Sequence, residues 1–376
     1  MRVAHLADVH LGYRAYNRVT RQGVNLREAD VFNVFRQAMR KVVEIQPDLI
    51  VIAGDLFHVV RPSNLCIETT FKEFMKLRSE TKAPVVLIGG NHDSPRSTDT
   101  GCILDLLLNV PGVYVANNDY RGISIPEIDT TVFCLCHRAL AGLSGLKIEP
   151  DPASHYNVLA VHGTLEGISR NFYDVTQPIT RAQIMHDGWD YIALGHYHLY
   201  EKLADNSYYS GSLEYTSFNI WEETNKPKGF IEFDLDERKL VKFHKTSPRE
   251  VIDLRAVDAE GLTAAEINQL IQMRVEGIPG GHKEKVVRLV VDNVPKSVIP
   301  DLDYQSIRRI RSEAVHFDVQ LRPRKIKPIA TANGESRTAL PLEEEWRQFA
   351  KIYELPGGID RESLVSKGLE YIGGAE

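Results

Sequence analysis

The nine residues LIGGNHDSP (87–95) end an apolar run with two glycines and then present Asn91, His92 and Asp93 in succession. Glycine, asparagine and aspartate are common turn residues, so this segment by itself indicates only a loop after a strand. Four other apolar runs of the chain are also followed by polar side chains of these types or by histidine. The repetition of the pattern, more than any one segment, decides the fold prediction.

The five apolar runs have the composition of buried β-strands, since they are rich in valine, isoleucine and leucine. They are RVAHLA (2–7), DLIVIAG (48–54), PVVLIGG (84–90), YNVLAV (156–161) and DYIALG (190–195). Helically spaced apolar residues predict one helix at 27–46 and another at 67–80. This alternation predicts an α/β sandwich or a doubly wound sheet.

Carboxylate, amide and imidazole side chains follow each of the five runs. In chain order they are Asp8, His10, Asp55, His58, Asn91, His92, His162, His196 and His198. On an extended backbone, Asp8 and His10 would point to the same face. A buried core histidine or a helix-capping aspartate would explain each residue singly. Because all of them fall at the carboxyl edge of the strands, where ligands usually bind, together they predict a metal site.

The other histidines and the cysteines predict no second site. Seven of the thirteen histidines fit no such pattern and are interpreted as structural residues: His5, His137, His155, His186, His244, His282 and His316. The cysteines show no CxxC pair and are interpreted as small buried residues in a reducing compartment: Cys66, Cys102, Cys134 and Cys136.

Composition and charge restrict the class of protein. A chain of 376 residues predicts one large domain with one or two smaller additions. Its N-terminus carries Asp8 and lacks the apolar core of a signal peptide, and no run is long enough to cross a membrane, so we expect a cytoplasmic protein without a membrane partner. The net charge of −6 argues against binding nucleic acid over the whole surface, but it leaves room for a local basic groove.

The five runs lie within residues 1–249, where a polar turn in 228–246 also predicts a hairpin. The C-terminal third has a different organisation. Residues 250–328 alternate strand, helix, strand, helix and strand, which predicts a small α+β domain. A linker is predicted at 329–340, followed by two short helices at 341–376 around Pro356. Their apolar stripes either dock on the main body or bind another chain.

The motifs DxH, GDxxH, GNHD, HG and GHxH, in this order, resemble those of the calcineurin-like metallophosphoesterases. More specifically they resemble the SbcD-type nucleases of DNA double-strand-break repair, because GDLFH carries a histidine where phosphatase relatives usually carry an acid. The resemblance implies a β-sandwich flanked by helices at 1–249. It also implies a capping, DNA-binding domain at 250–328 and a helical hairpin at 341–376 that binds an ATPase.

The resemblance also implies two divalent metal ions. One would be held by Asp8, His10, Asp55 and His198, and the other by Asp55, Asn91, His162 and His196. Two ions about 3.5 to 4 Å apart can supply a nucleophile and clamp the charge of a phosphate. Mixed imidazole and carboxylate ligands suit Mn(II) better than Mg(II), which remains a possible substitute.

His92 and His58 are the candidate catalytic residues. His92 lies beside the expected ligand Asn91 and is interpreted as the general acid that protonates the leaving alkoxide. Asp93 is interpreted as a brace for this loop. His58 would contact the substrate phosphate or assist His92, and a purely structural role remains the alternative.

Substrates and partners follow mainly from the resemblance. It implies manganese-dependent exonuclease and endonuclease action on DNA ends and hairpins, association with the nucleoid, homodimerisation and an SbcC-type SMC-like ATPase partner. Basic segments suggest DNA contacts at Tyr13, Arg14, Arg308 and Arg309, with a solvated charged face as the alternative. Trp346 and Phe349 would anchor the ATPase.

The sequence also allows two other classes of function. A phosphatase or phosphodiesterase acting on a small nucleotide would share the metal ligands but would not need the C-terminal hairpin. A mainly non-catalytic DNA-end tether would bind DNA and could tolerate the loss of the general acid, whereas this chain retains His92.

Overall fold

The computed structural model describes residues 1–95, 97, 100–142, 148–168, 178–323, 342–353, 355 and 359–373. The chain divides into two compact units. The first unit comprises Met1–Asp253, Lys283–Val287 and Glu313–His316, and the second comprises Leu254–His282, Arg288–Ser312 and Phe317–Glu376. The predicted linker at 329–340 and the predicted turn at Pro356 lie outside the described residues.

The first sheet of the first unit contains three of the five predicted strands. Its order is β12-β11-β1-β2-β3-β4. The strands are β1 (Arg2–Leu6), β2 (Leu49–Ile52), β3 (Val85–Ile88), β4 (Val113–Ala116), β11 (Gly229–Asp234) and β12 (Lys239–Lys245). From β1 to β4 neighbouring strands are parallel, whereas β11 is antiparallel to both β1 and β12, as the predicted hairpin requires.

The second sheet contains the other two predicted strands. Its order is β5-β6-β7-β8-β10-β9. The strands are β5 (Arg121–Ile125), β6 (Thr130–Leu135), β7 (Tyr156–His162), β8 (Tyr191–Gly195), β9 (Glu201–Ala204) and β10 (Ser207–Tyr209). From β6 through β7 and β8 to β10 the strands are parallel, so β7 and β8 end at the same edge.

Two long helices flank the first sheet, at α1 (Leu26–Ile45) and α2 (Asn64–Glu80). Both begin at a polar cap: the Asn25 side chain accepts from the backbone N–H groups of Arg27 and Glu28, and the Ser63 side chain accepts from that of Cys66. A short helix, α3 (Arg181–Ile184), precedes β8. The helices therefore start close to where the apolar spacing predicted them.

The two sheets face each other across a buried layer, which confirms the predicted sandwich. On β2, Leu49 and Val51 pack toward the second sheet, while Ile50 and Ile52 pack toward the helices. Because both faces are covered, β2 is apolar at every position. Burying each such side chain stabilises the fold by about 1.5 to 3 kcal/mol.

The second unit holds most of a small sheet of order β13-β14-β15 with its helices. The elements are β13 (Val251–Asp258), α4 (Ala264–Glu276), β14 (Val286–Val294), α5 (Tyr304–Glu313) and β15 (His316–Pro323). Thr263 and Glu266 form a capping box at the start of α4. The strand and helix order matches the prediction for 250–328, and a DNA-binding role of this region stays a prediction.

Two helices form the C-terminal segment, α6 (Leu342–Ile352) and α7 (Arg361–Gly373). Trp346 lies over Gly368 of α7 and donates its indole N–H to the carbonyl oxygen of Val365 at 3.1 Å. Phe349, one turn further along α6, remains 44% exposed. The two helices thus pack against each other through Trp346.

A buried histidine joins the two sheets. His5 on β1 is fully buried, and its Nδ1 lies 2.9 Å from the hydroxyl oxygen of Tyr191 on β8. Because burial disfavours the charged imidazolium, the pKa of His5 falls from 6.5 to about 3. In the unfolded chain, His5 binds a proton when the pH falls below about 6.5. In the folded chain it does so only near pH 3, so acid favours the unfolded chain.

We expect His5→Gln to make the fold less sensitive to acid. Glutamine keeps a hydrogen-bonding group for Tyr191 but has no proton to gain. Between about pH 7.5 and about pH 4.5, the free energy of unfolding of the variant should fall by about 2.5 kcal/mol less than that of the wild type. Urea unfolding at the two pH values measures this loss for the variant and the wild type. Tyr191→Phe is the control: it keeps the titrating histidine, so its loss of unfolding free energy between the two pH values should equal that of the wild type. Equal losses in His5→Gln and the wild type would contradict the assignment.

Candidate metal centre

The predicted ligand residues lie in the loops that follow β1, β2, β3 and β8, except His162, which is the last residue of β7. Asp8, His10, Asp55, His162 and His198 are buried, whereas Asn91 is exposed and His196 is half-buried. The group is therefore enclosed on one side and open to solvent on the other.

One cluster forms around His10 and His198. Their Nε2 atoms lie 3.0 Å apart, and His198 Nε2 lies 4.0 Å from Asp8 Oδ1. His10 Nε2 is also 3.7 Å from Asp55 Oδ2. Asp8, His10 and His198 can each direct one ligand atom to a common point.

A second cluster forms around Asn91. Its Oδ1 lies 3.0 Å from His162 Nε2 and 2.9 Å from His196 Nδ1. His162 Nε2 is in turn 3.4 Å from Asp55 Oδ2. The same carboxylate oxygen of Asp55 thus faces one imidazole of each cluster. Asp8, Asp55 and His162 can also direct ligand atoms to a common point, a combination of three that neither predicted ligand set contained.

The hydrogen bonds around His162 test whether this donor set fits a cation. Its Nδ1 lies 2.8 Å from the carbonyl oxygen of Ala53 and must donate to it. Without a bound ion, Asp55 outweighs burial and raises the pKa of His162 to about 9. When the ring gives up that proton, the lone pair is on Nε2, which faces the carboxylate of Asp55 and the amide oxygen of Asn91. Lone pairs that converge in this way, on a ring held by a second hydrogen bond as that of His162 is, are typical of metal ligands. The residues therefore fit divalent metal ions.

The backbone around the ligands differs from the expectation. Asp8 and His10 have φ values of 50° and 54°, so they are in the left-handed region, and the prediction of an extended backbone there was wrong. Tertiary hydrogen bonds impose this conformation, since Asp8 N donates to the Gly54 carbonyl at 3.2 Å and His10 N to that of Asp55 at 3.0 Å. Such strained positions cluster at functional sites.

Two glycines allow the loops to approach one another. A Cβ atom at Gly90 would overlap the carboxylate and backbone nitrogen of Asp55, and one at Gly54 would overlap the ring of His162. Gly54 also has a φ of 89°, which few other residues adopt. The glycines that end these apolar runs are thus required by close packing at the site.

Burial and neighbouring charges set the protonation of the site. Burial, together with the nearby Asp55 carboxylate, raises the pKa of Asp8 to about 7. Burial also opposes ionisation of Asp55, but the charge and the hydrogen bond of His162 outweigh it and hold the pKa of Asp55 well below its ordinary value. Burial lowers the pKa values of His10 and His198 well below 6.5, so both rings stay neutral and keep a lone pair.

His92 and His58 lie at the open side of the first cluster. The His92 Nδ1 donates to the carbonyl oxygen of His58 at 2.9 Å, and its backbone N–H donates to Asp55 Oδ1 at 2.9 Å. The two rings stack with centroids 5.0 Å apart, and His58 Nδ1 is 3.3 Å from His10 Nδ1. Burial, then the charge of His92, lowers the pKa of His58 to about 4.

Asp93 connects two of the loops of the site through hydrogen bonds, as predicted for a residue that stabilises the loop after β3. Its carboxylate accepts from the backbone N–H groups of Gly90 at 2.8 Å and Phe57 at 3.3 Å. These bonds join the loops after β3 and β2. Burial and the neighbouring Asp55 raise the pKa of Asp93 to about 7.

The predicted DNA and partner residues lie outside the two clusters. Tyr13 is half-buried with its ring edge-on to His58 at 5.0 Å, and Arg14 is exposed with its Nε donating to Glu28 at 2.7 Å. Arg308 and Arg309 are exposed on α5. Trp346 and Phe349 lie on α6.

The sequence interpretation missed residues beside the site. His137 follows β6, and its ring stacks on that of His196 with centroids 6.0 Å apart, although it was interpreted as structural. Its position just after an apolar strand, in CLCHR (134–138), is the same signal that identified the predicted ligands. Glu223 and Lys228 lie beside His198, and no local pattern marks them.

Known proteins similar to this chain are phosphoesterases and DNA repair nucleases. The model of the calcineurin-like phosphoesterase family matches residues 1–231. The DNA double-strand break repair protein Mre11 of Methanocaldococcus jannaschii is 28% identical over 276 residues, which cover 71% of this chain and 69% of that protein. The protein of the same name from Methanopyrus kandleri is 24% identical in an alignment of 393 residues that covers 98% of this chain and 76% of that protein.

A bacterial relative gives a similar match. The SbcD component of the nuclease SbcCD from Staphylococcus epidermidis is 29% identical over 273 residues, which cover 64% of this chain and 68% of that protein.

In the part of the chain that the structure describes, no helix is both long enough and apolar enough to cross a membrane.

We expect Gly90→Ala to reduce metal binding strongly, because the added methyl group must displace Asp55 or the loop that carries Asn91. Gly142→Ala is the matched control, since a Cβ atom at Gly142 meets nothing within 4 Å. Elemental analysis after equilibration with Mn(II) should show a lower metal content in Gly90→Ala only. An unchanged metal content in Gly90→Ala would show that the close approach of these loops is not needed.

Proposed function

Because this chain belongs to the calcineurin-like phosphoesterase family, as a nuclease of the Mre11 and SbcD type, we propose that it hydrolyses phosphodiester bonds at DNA double-strand-break ends and hairpins with two divalent metal ions. The observation that carries the proposal is the position of Asp55. Its Oδ2 lies 3.7 Å from His10 Nε2 and 3.4 Å from His162 Nε2, between the two clusters of ligands. A shared carboxylate in this position is what a two-metal site needs.

The proposed ligands fall into two sets that share Asp55. The first set is Asp8, His10, Asp55 and His198, and the second is Asp55, Asn91, His162 and His196. When bound, divalent ions supply an activated nucleophile and neutralise the phosphate charge. Imidazole and carboxylate donors together favour Mn(II), and Mg(II) is a possible substitute.

The protein's own contribution to bond cleavage is the proton at His92. Its Nδ1–H is committed to the carbonyl oxygen of His58, so the transferable proton is the one that Nε2 carries when the ring is in its imidazolium form. His58 stacks on this ring and contacts His10, which places it between the proton donor and a ligand. We assign His92 as the general acid for the leaving oxygen and His58 as the residue that orients it or contacts the phosphate.

DNA contacts are proposed at the exposed basic residues. Arg14 is exposed and follows Tyr13, whose ring lies edge-on to that of His58 with centroids 5.0 Å apart. Arg308 and Arg309 are exposed on α5 of the second unit, for which we propose the capping, DNA-binding role. Arginine contacts with phosphates would give a binding affinity that falls with increasing salt.

For the C-terminal helices we propose binding to the coiled-coil base of an SbcC-type SMC-like ATPase. Leu342 and Phe349 on α6, and Tyr353 directly after it, continue one apolar stripe and stay 65%, 44% and 39% exposed in the chain alone. Trp346 shapes this surface from within, by packing on α7. The proposal includes a homodimer, acting in the cytoplasm and associated with the nucleoid when bound to DNA.

Activity on a panel of substrates tests the proposed function. With Mn(II) we expect the wild type, with and without the ATPase, to cleave duplex ends and hairpins. His92→Ala should keep its metal and lose about 10²- to 10⁴-fold in turnover, the usual contribution of general acid catalysis. Asp55→Ala should lose both metal and activity. Loss of metal from His92→Ala would contradict the role of His92.

The same panel separates the alternatives. Cleavage of a small chromogenic phosphodiester or a nucleotide, with DNA left intact, would identify a small-substrate phosphodiesterase or phosphatase. DNA binding without cleavage of any substrate, at full metal occupancy, would identify an end tether. Either result would contradict the proposed nuclease.

Capture of the ATPase tests the proposed partner surface. We expect Phe349→Ala to weaken co-purification with the ATPase by about tenfold or more, since exposed aromatic anchors dominate such contacts. Glu345→Ala, an exposed change on the same helix, is the matched control. Trp346→Ala should also weaken capture, with a loss of helicity by circular dichroism. Unchanged capture by the variant lacking both Trp346 and Phe349 would contradict the proposed surface.

A further inference from the structure

His198 has one ring nitrogen that the proposed metal site leaves without a function. Its Nε2 faces His10 and Asp8 in the first cluster. Its Nδ1 is buried and, among the described residues, has no hydrogen-bond partner. The oxygen that faces this Nδ1 is Glu223 Oε1, at 3.7 Å. A buried nitrogen in this position needs a partner, because leaving a buried polar group unpaired is destabilising.

A buried lysine fixes Glu223 relative to His198. Lys228 Nζ forms an ion pair with Glu223 Oε2, donates to the backbone carbonyl oxygen of His198 at 2.9 Å and donates to Ser212 Oγ at 2.8 Å. The Lys228 side chain is fully buried and that of Glu223 nearly so. The lysine therefore bonds to the backbone of the residue whose ring the carboxylate faces.

We propose that Glu223 is a positioning residue that fixes the tautomer and orientation of His198. Its Oε1 accepts the Nδ1–H of His198, which leaves the lone pair on Nε2, directed at the first metal site. A movement of about 0.5 to 1 Å brings the two atoms to hydrogen-bond distance. The inference rests on the proposed function, because it assumes that His198 is a metal ligand.

A carboxylate suits this task better than a neutral acceptor. A neutral imidazole carries one proton, and a proton on Nε2 would compete directly with the metal for that nitrogen. An acceptor at Nδ1 favours the other tautomer, and a carboxylate also makes the imidazole a stronger ligand. Lys228 makes the buried carboxylate tolerable by pairing with it, since an unpaired buried charge is strongly destabilising.

Metal binding by Glu223→Gln tests the proposal. We expect titration calorimetry with Mn(II) to show one of the two sites weakened about 10- to 100-fold and the other nearly unchanged. The turnover number on DNA should fall, while KM for DNA should change little, because Glu223 does not contact the substrate. Glu222→Gln is the matched control, since this neighbouring glutamate is exposed and accepts from Asn219 instead. It should bind metal as the wild type does.

A second measurement reports the tautomer directly, without metal or activity. Long-range ¹H–¹⁵N correlation of histidine-labelled, metal-free protein should show His198 protonated at Nδ1 in the wild type and in Glu222→Gln. In Glu223→Gln the proton should move toward Nε2. If that variant loses stability, Glu223→Leu combined with Lys228→Met removes the acceptor without leaving a buried unpaired charge, and it should show the same changes.

The outcomes separate this inference from the proposed function. A folded Glu223→Gln that binds both ions as the wild type does and keeps the Nδ1 proton on His198 would overturn the positioning role alone. A wild type that binds no metal would overturn the proposed function, while the tautomer of metal-free His198 would still test the contact with Glu223.

Discussion

The carboxylate of Asp55 is the point at which the loops of the site meet. Its Oδ1 accepts the backbone N–H of His92, which follows β3, and its Oδ2 faces His10, which follows β1, and His162 at the end of β7. Both sheets therefore contribute to one buried charge. A buried charge is tolerated only with compensating partners. The carboxylate of Asp55 therefore requires both the imidazoles around it and the glycines that let those imidazoles come close. The rest of the sandwich supplies the rigid strands that hold these loops in place.

Much of this arrangement follows from the sequence, because parallel strands end at a common edge. The five apolar runs are strands, and the residues after Leu6, Ile52 and Ile88 reach the same site. The local backbone was not predictable in the same way. Asp8 and His10 take left-handed conformations through hydrogen bonds to Gly54 and Asp55, which are far away in sequence. Local pattern carries no information about such distant partners.

The residues that sequence reasoning missed differ in kind. His137 follows a strand, β6, whose threonines and cysteine gave a weaker apolar signal than the other runs. Glu223 and Lys228 reach His198 only through the fold, from a short helical turn and the start of the β11 hairpin. In the C-terminal helices, periodicity identified the stripe but did not separate Trp346, which packs inward, from Phe349, which is exposed. That distinction depends on Gly368, where the neighbouring helix lacks a side chain.

The left-handed backbone at Asp8, His10 and Asp55 bears on how the centre responds to metal supply. These conformations are held by tertiary hydrogen bonds, so the ordering entropy of the loops is lost when the chain folds and not when an ion arrives. Binding of the proposed ions would then need little further ordering of the backbone at these residues. The folded chain would therefore present these ligand side chains to the proposed ions in a geometry that already exists before an ion binds.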